Sequence, residues 1–409
     1  MAVQPHSVGL SADRLARIDR FIQNKYLDTG RMPGALTLVY RRGEIAHFSA
    51  IGMADVERKT PMREDTIFRI YSMTKPLTTV AFMMLVEQGL VALDDPVHRV
   101  IPAWKDLGVF QGGFTATFRT KRPDRPMLMI DLLRHTSGLT YGFQQSTNVD
   151  AAYRALKVGE IEKHGSLEEM IEKLAHLPLE FSPGMAWNYS VSTDVLGYIV
   201  GKISGQPFED YLRERILQPL GMADTGFHVH AGKQARFAAC YAATANGGMT
   251  LQDDPSTSPY LQAPTLISGG GGLVSTASDY LRFCRMLING GSFGKVQLLS
   301  PKTIELMTKN HLPDNKDLPA LSRSLFSEAS YNGIGFGLGF AVTMDPAKTM
   351  IPGSAGEYSW GGAASTAFWI DPKEELIAIF LTQLLPSSST PIRRELRTMI
   401  YSAFTSPHS

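Results

Sequence analysis

The amino-acid sequence predicts an α/β fold of the α+β type, in which helices flank a central antiparallel sheet built from both ends of the chain. Strand-like patterns lie near the start, at 36–40 and 45–51, and return near the end at 336–343, 366–370 and 376–382. Mostly helical patterns fill the sequence between them. The chain therefore reads as one sheet with a helical insertion.

We expect this architecture to form a single unit, 1–409, with two lobes. The α/β lobe covers approximately 1–80 and 265–409, and the mostly helical lobe covers approximately 81–264. A segment with scattered Leu, Ser, Pro and Asn, Asp314 to Tyr331, is predicted to be an irregular loop over a site.

The first elements follow from local signals. Ser11 is a good helix cap, and the apolar residues Leu15, Ile18 and Ile22 recur on one helical face until Pro33-Gly34 breaks the pattern. The next two strands flank a turn at 41–44, which predicts an antiparallel hairpin. The later helices are predicted at Ser166 to His176, Ser192 to Ile203, Ala277 to Leu287 and Ile392 to Phe404.

Composition points to a small-molecule partner. The chain has 40 Lys and Arg against 39 Asp and Glu, so its formal net charge is +1 and nothing favours nucleic acid. The first residues lack the apolar run of a signal peptide, and no span predicts a membrane helix. Two cysteines, Cys240 and Cys284, are too few for a disulfide framework, so we expect a cytoplasmic protein. The sequence leaves the oligomeric state open.

A candidate nucleophile lies in Ser72-Met73-Thr74-Lys75. Apolar residues after Pro76 recur at helical spacing, which places this segment at a helix N-terminus, where proline is tolerated. Residues three apart share a helix face, so the Lys75 amine can reach the Ser72 hydroxyl. The alternative is a capping serine beside a surface lysine.

For Lys75 to act as a base, it must be neutral near pH 7. The ordinary lysine pKa is ~10.4, so the side chain needs a pocket of low dielectric constant that lowers it by about three pH units. The positive end of a helix dipole favours both neutral lysine and a developing alkoxide on Ser72.

Two other segments complete the candidate site. A turn delivers Tyr189 just before a helix, where its phenol can relay a proton, although an interface tyrosine is the simpler interpretation. Trp360-Gly361-Gly362-Ala363 leads into a strand, and its glycines permit close approach of a ligand. We expect the backbone N–H groups of Ser72 and Ala363 to form an oxyanion hole, with Trp360 as a pocket wall.

Other motifs are interpreted as structural. His228 and His230 lack a third ligand at metal spacing, so no metal is expected. Gly290 to Gly294 matches G-x-S-x-G but follows a helix rather than a strand. His135 is expected to stabilise a turn, and Gly270 to Gly272 do not fit a phosphate loop. No cofactor is expected.

Taken in order, these segments resemble the class C β-lactamase and penicillin-binding-protein superfamily of serine hydrolases, and within it the family VIII carboxylesterases. The resemblance covers nearly the whole length. It is carried by Phe68 to Tyr71 before Ser72-Met73-Thr74-Lys75, by Leu132 to Leu139, by Pro183-Gly184 upstream of Tyr189, and by Gly270 to Thr276. It implies a β-lactamase-like fold in which Ser72 is acylated while Lys75 and Tyr189 share the proton transfers.

Two departures from the β-lactamase pattern indicate the substrate. Val191 stands where Y-x-N has Asn, and Trp360-Gly361-Gly362 stands where K-T-G is found. Apolar residues at these positions suit an uncharged acyl or alcohol group better than a β-lactam carboxylate and amide. We therefore expect Trp360, Gly361, Gly362 and Val191 to line the substrate pocket.

The sequence thus predicts a serine carboxylesterase that hydrolyses short-chain carboxylic esters through a Ser72 acyl-enzyme, with weak cephalosporin hydrolysis as a side activity. Two alternatives stay open. An acyltransferase similar to the lovastatin-type enzymes passes the acyl group to an alcohol, and a penicillin-binding, acyl-trapping module is modified once and not regenerated.

Overall fold

The computed structural model describes residues 3–115, 117–323 and 331–405. Within these ranges the largest sheet has eight strands, and every neighbouring pair is antiparallel. From one edge to the other the strands are Ile334–Phe336, Ala341–Thr343, Tyr358–Gly361, Ala367–Asp371, Leu376–Leu381, Gly34–Arg41, Glu44–Asp55 and Thr60–Pro61. The two ends of the chain meet where Leu36 pairs with Leu381. The predicted sheet built from both termini is confirmed.

Three adjacent strands, Gly34–Arg41, Leu376–Leu381 and Ala367–Asp371, are buried throughout, and their side chains alternate between the two faces of the sheet. On the first strand, Leu36 and Leu38 belong to the main core, whereas Ala35 and Val39 belong to a second core formed with the N- and C-terminal helices. All eight residues of this strand are buried. Such double coverage gives a continuous apolar run rather than an alternating one.

The α-helices in the described part of the chain begin and end as follows: Ala12–Ile22, Thr74–Glu87, Met129–Leu133, Asn148–Ala155, Leu167–Leu174, Ser192–Ser204, Phe208–Leu212, Gln218–Leu220, Ala277–Ile288, Pro301–Met307, Leu318–Leu321, Pro346–Thr349 and Ile392–Ser402. Single π-helical turns continue two of them, at Gln23–Leu27 and Arg213–Leu217. None of the helices in the described ranges is long and apolar enough to cross a membrane.

Most of the predicted local elements are confirmed. Ser11 caps the first helix by accepting a hydrogen bond from the Arg14 N–H, and the hairpin forms with the expected pairing. Ser166 and Thr276 cap two of the predicted helices with their side chains. The last helix ends at Ser402, two residues earlier than expected.

Other expectations were wrong. The single strand predicted at 336–343 is two short strands, because Gly337 to Phe340 form a turn that pairs them with each other. Small sheets that the sequence did not predict also occur: Phe68–Arg69 with Val274–Ser275, Val109–Gly112 with Arg119–Lys121, Cys240–Ala243 with Met249–Asp253 and Leu384–Leu385, and Ser292–Phe293 with Val296–Gln297.

The predicted loop at 314–331 is only partly described, since 324–330 lie outside the described residues. Its first part contains the helix Leu318–Leu321, and Ser322 forms a β-bridge with Trp187. This part therefore packs against the segment that carries Tyr189. The division into two lobes remains a prediction.

Candidate active site

Ser72 lies in a 3-10 turn, Tyr71–Met73, that runs directly into the helix Thr74–Glu87, here called the nucleophile helix. The residue before it, Tyr71, has a left-handed backbone with φ of 42°. Such strain is typical of functional sites, where the surrounding packing maintains it. The apolar residues at helical spacing predicted a helix with one buried face. Instead, every residue from Thr74 to Leu85 is buried, so the protein core surrounds this part of the helix.

Two side chains hold the Ser72 hydroxyl. The Lys75 ammonium nitrogen lies 3.2 Å from Ser72 Oγ, and the Tyr189 hydroxyl donates to the same oxygen at 2.6 Å. Ser72 and Tyr189 are partly exposed, whereas Lys75 is only 2% exposed. The three residues singled out from the sequence are therefore in direct contact around one accessible oxygen.

Burial lowers the pKa of Lys75 from 10.5 to about 7, while the charge of Asp194 acts in the opposite direction. Desolvation of this kind disfavours the ammonium form because charge is poorly solvated in the protein interior. Lys75 also donates to the Gly270 carbonyl at 2.7 Å and to the Tyr141 hydroxyl at 3.0 Å. A lysine poised near neutrality is suited to accept the Ser72 proton.

Asp194 binds the loop that contains Gly270, the residue whose carbonyl accepts a hydrogen bond from Lys75. It lies in the first turn of the helix Ser192–Ser204 and is buried. Its carboxylate accepts hydrogen bonds from the Ser268 hydroxyl at 2.5 Å and from the Gly270 N–H at 3.0 Å. A side chain at Gly270 would collide with this carboxylate. The glycine thus lets Asp194 fix the loop whose carbonyl binds Lys75.

Tyr189 is held from several sides. Gln144 donates to its backbone carbonyl, and its ring packs against Tyr141 and Trp360 at centroid distances of 5.2 and 5.5 Å. Burial raises the pKa of Tyr189, and its hydrogen bond with Ser72 acts against this rise. Tyr189 therefore stays protonated in the resting enzyme and acts as a donor to Ser72.

His135 does not contact Ser72. Its Nδ1 lies 3.1 Å from the Ser190 hydroxyl, and burial lowers its pKa well below the ordinary range. Its backbone is left-handed, with φ of 58°, and its carbonyl accepts the Asn188 N–H. These contacts agree with the expected role in stabilising a turn beneath the site.

The strand Tyr358–Gly361 brings Trp360 to the site. The Trp360 ring contacts Tyr189 and lies edge-on to Phe336 at 5.3 Å. It belongs to an apolar cluster with Leu312 and Leu318 at the edge of the sheet. Trp360 is partly exposed, so it can form an apolar wall beside Tyr189, whose hydroxyl bonds Ser72.

The turn Gly362–Thr366 follows directly, and it is here called the oxyanion turn after the role predicted for Ala363 from the sequence. A side chain at Gly362 would lie 2.4 Å from the Ile70 carbonyl, so the turn passes against the segment that leads to Ser72. Ala363 belongs to a small apolar cluster with Tyr71. Within the described ranges, the Ala363 N–H donates to no other group. An N–H that makes no other hydrogen bond in the described residues is free to donate to an oxyanion, as the sequence-based prediction for Ala363 requires.

Val191 corrects one of the sequence predictions. It is fully buried, and its N–H donates to the Thr140 carbonyl at 3.2 Å. Its side chain faces Gly159, where an added Cβ would approach it to 2.7 Å. Val191 is therefore part of the core behind Tyr189 and does not line the pocket.

Sequence reasoning missed Tyr141, Asp194 and the Gly270 carbonyl. Gly270 belongs to a segment that carries the family resemblance, but no role for its carbonyl was predicted, and Asp194 follows Tyr189 by five residues without any motif of its own. Only the hydrogen bonds to Lys75 and Gly270 reveal their place in the site. No cluster of metal-ligating side chains occurs in the portion of the chain that the structure describes.

Known proteins similar to this chain include enzymes and uncharacterised proteins. An uncharacterised protein of Mycobacterium tuberculosis is 39% identical over 365 residues, which is 88% of each chain. Esterase EstB of Burkholderia gladioli is 31% identical over 417 residues, with 98% of both chains covered.

Solved structures are also similar to this chain over nearly its whole length. EstCE1, described as a hydrolase with promiscuous acyltransferase activity, superposes with a TM-score of 0.78 and 28% identity, covering 96% of this chain and 99% of its own. Simvastatin synthase (LovD) from Aspergillus terreus has a TM-score of 0.80 at 24% identity, covering 96% and 98%, and shows the shared fold. The beta-lactamase family model matches residues 18–400. With this match over most of its length, the chain belongs to the beta-lactamase family, whose fold the sequence predicted.

Proposed function

We propose that the protein is a serine carboxylesterase that hydrolyses short-chain carboxylic esters through an acyl-enzyme on Ser72. The observation that carries the proposal is the position of Ser72 Oγ between Lys75 at 3.2 Å and Tyr189 at 2.6 Å. A buried lysine with a pKa of about 7 supplies the base that serine needs.

In acylation, Ser72 Oγ bonds to the ester carbonyl carbon as its proton passes to neutral Lys75. The carbonyl oxygen becomes an oxyanion, which the N–H groups of Ser72 and Ala363 stabilise. Collapse of this intermediate breaks the bond to the alcohol. The alcohol leaves with a proton from the Lys75 and Tyr189 pair, which restores neutral Lys75.

Deacylation repeats these steps with water. The same pair accepts a proton from water as its oxygen attacks the acyl carbonyl carbon. Breaking the ester bond to Ser72 then releases the carboxylic acid, and Ser72 regains its proton. One site thus serves both half-reactions, as microscopic reversibility requires for a shared proton carrier.

The surroundings of Ser72 favour a small uncharged substrate. Trp360 stands where the β-lactamase motif has a lysine, and the rings of Tyr189 and Phe336 pack against it. An apolar wall gives little recognition of a carboxylate, because a charged group loses its hydration there without a partner. Compact acyl groups are also the ones that a crowded aromatic site accepts most readily.

The similarity to Esterase EstB and to the hydrolase EstCE1 supports this assignment. Both likenesses extend over nearly the whole chain, so they include every segment that contributes to the site. The buried, unlinked thiols of Cys240 and Cys284 also support a reducing location, and we propose the cytoplasm.

The test is turnover of p-nitrophenyl acetate, butyrate and octanoate. We expect the parent to hydrolyse the two short esters fastest and Ser72→Ala to lose at least ~1000-fold in kcat. A Ser72→Ala variant as active as the parent contradicts the proposal. Ser137→Ala, at a buried serine that bonds Ser192, is a matched control for loss of a hydroxyl.

An acyltransferase remains the second candidate function. Monacolin J acid methylbutanoyltransferase of Aspergillus terreus is 27% identical over 91% of this chain. Transfer needs an alcohol to compete with water for the acyl group on Ser72. Product analysis with added butanol measures the partition, and butyl ester exceeding free acid at millimolar butanol favours the transferase.

Cephalosporin hydrolysis is proposed as a weak side activity, measurable by loss of absorbance of the β-lactam ring.

A further inference from the structure

Arg393 lies at the second position of the C-terminal helix, Ile392–Ser402, far from Ser72 in sequence. Its Nη2 donates to the Gly362 carbonyl at 2.6 Å and to the Thr366 carbonyl at 2.9 Å. Both carbonyls belong to the oxyanion turn. One guanidinium group therefore holds the first and last residues of that turn together.

The Gly362 carbonyl and the Ala363 N–H are parts of the same peptide unit. Because this unit is planar, fixing the carbonyl oxygen also fixes the direction in which the N–H points. A bond from a charged donor is stronger than a neutral one, and it polarises the peptide so that its N–H becomes a better donor. Arg393 thus acts on Ala363 through a single peptide plane.

The glycine at position 361 leaves room for the contact between Arg393 and the oxyanion turn. A side chain at Gly361 would lie 2.7 Å from Arg393 Nη2, so a glycine there lets the guanidinium reach the turn. The turn is also bound to Leu384: the Ala364 carbonyl accepts the Leu384 N–H, and the Ser365 hydroxyl donates to the Leu384 carbonyl. Along the chain, Ala363 therefore lies between Gly362, which binds Arg393, and Ala364, which binds Leu384.

We propose that Arg393 is a positioning residue of the oxyanion hole, which aims and polarises the Ala363 N–H by binding the Gly362 carbonyl. The proposal rests on the proposed function, since it requires an oxyanion on the ester substrate. In this proposal Arg393 supplies a positive charge near the site, where Trp360 stands at the position of the lysine in the β-lactamase motif. Burial raises the pKa of Tyr189, and the charge of Arg393 acts to lower it.

The test compares an ester with its thionoester, in which sulfur replaces the carbonyl oxygen. Oxyanion N–H groups stabilise developing charge on oxygen far better than on sulfur, so the ratio of the two kcat/KM values reports the oxyanion hole. We expect Arg393→Gln to lower kcat for the oxygen ester by about 30-fold with KM changed less than twofold, and to lower the ratio about tenfold. Arg393→Lys, which keeps a charged donor but on a side chain of different length and geometry, should fall between Gln and the parent.

Arg394→Gln is the matched control, because the next residue on the same helix has no side-chain bond to the oxyanion turn. It should leave the ratio unchanged. If Arg393→Gln lowers kcat/KM for the ester and the thionoester by the same factor, the proposal is overturned, since a purely structural role lowers both together. If Arg393→Gln does not fold, the same comparison with Arg393→Lys decides: an unchanged ratio contradicts the proposal and a lowered one supports it.

The outcome for the proposed function is read separately. A parent that turns over neither ester contradicts the esterase assignment itself. A parent that hydrolyses the oxygen ester, with a ratio that Arg393→Gln and Arg393→Lys leave unchanged, contradicts only the role of Arg393.

Discussion

In the proposed mechanism the protonation state of Lys75 controls acylation, so the rate should follow the titration of this residue. With a pKa of about 7, roughly one enzyme molecule in ten carries neutral Lys75 at pH 6, and about nine in ten do at pH 8. Lowering the pKa from 10.5 corresponds to about 5 kcal/mol of differential stabilisation of the neutral form. We expect kcat/KM for p-nitrophenyl acetate to rise about tenfold between these pH values and then to level off.

Asp194 provides the perturbation. Its negative charge favours the ammonium form of Lys75, so Asp194→Asn should move the acidic limb of the profile to lower pH, by about one pH unit. Ser268→Ala is the matched control, because it removes a hydrogen bond to Asp194 and keeps the carboxylate charge. Its acidic limb should stay near pH 7.

The assay is kcat/KM across pH 5 to 10 at constant ionic strength, with enzyme stability checked at each pH. A limb near pH 10 in the parent would show that Lys75 is not the base with a lowered pKa. A limb that Asp194→Asn leaves in place, or that Ser268→Ala moves as far, would refute the electrostatic argument.

Three further predictions concern the same site. Tyr189→Phe should lose at least ~100-fold in kcat, measured by stopped-flow kinetics, because the hydrogen-bond donor to Ser72 is gone. A variant with a near-parental kcat would show that the Tyr189 hydroxyl takes no part in the mechanism. Lys75→Met should be more stable than the parent at pH 6, with a free energy of unfolding from urea denaturation that is higher by as much as about 5 kcal/mol. The folded pKa lies below the unfolded one, so the cost of burying charge is full below pH 7 and disappears by about pH 10.5; a difference independent of pH contradicts this. Gly362→Ala should lose at least ~100-fold in kcat, because its Cβ would meet the Ile70 carbonyl at 2.4 Å and displace the oxyanion turn; full activity would place that turn outside the mechanism.

Local chemistry explains why part of the site was predictable. Ser72 and Lys75 are three residues apart at a helix start, so their contact follows from helix geometry alone. Tyr189 is 117 residues from Ser72, and the turn before its helix marked it only as a candidate. The fold, and not the local sequence, brings its hydroxyl to the nucleophile.

The parts that escaped prediction act through the backbone or through tertiary contact. Gly270 binds Lys75 with its carbonyl, which every residue possesses and no pattern distinguishes. Tyr141 reaches Lys75 from a distant segment, and Arg393 contacts the oxyanion turn from the last helix. Val191 was misplaced because a residue just before a helix faces either the cleft or the core, and spacing does not decide between them.

The sheet shows the same division. The hairpin of Gly34–Arg41 and Glu44–Asp55 was predictable because turn residues and strand propensity agree there. The paired strands at Ile334–Phe336 and Ala341–Thr343 were read as one, since the apolar run continues through the glycine-rich turn between them. Continuous apolar sequence identifies burial more reliably than it locates a reversal of direction.

The central claim is that Ser72 is acylated and then released by water. Its most direct measurement is intact-protein mass spectrometry after rapid mixing with p-nitrophenyl butyrate, followed by peptide mapping. The account predicts a transient gain of one butyryl group on the peptide that contains Ser72, decaying as free butyrate forms, and no gain in Ser72→Ala. A butyryl group on another residue, or turnover that persists in Ser72→Ala, would contradict it.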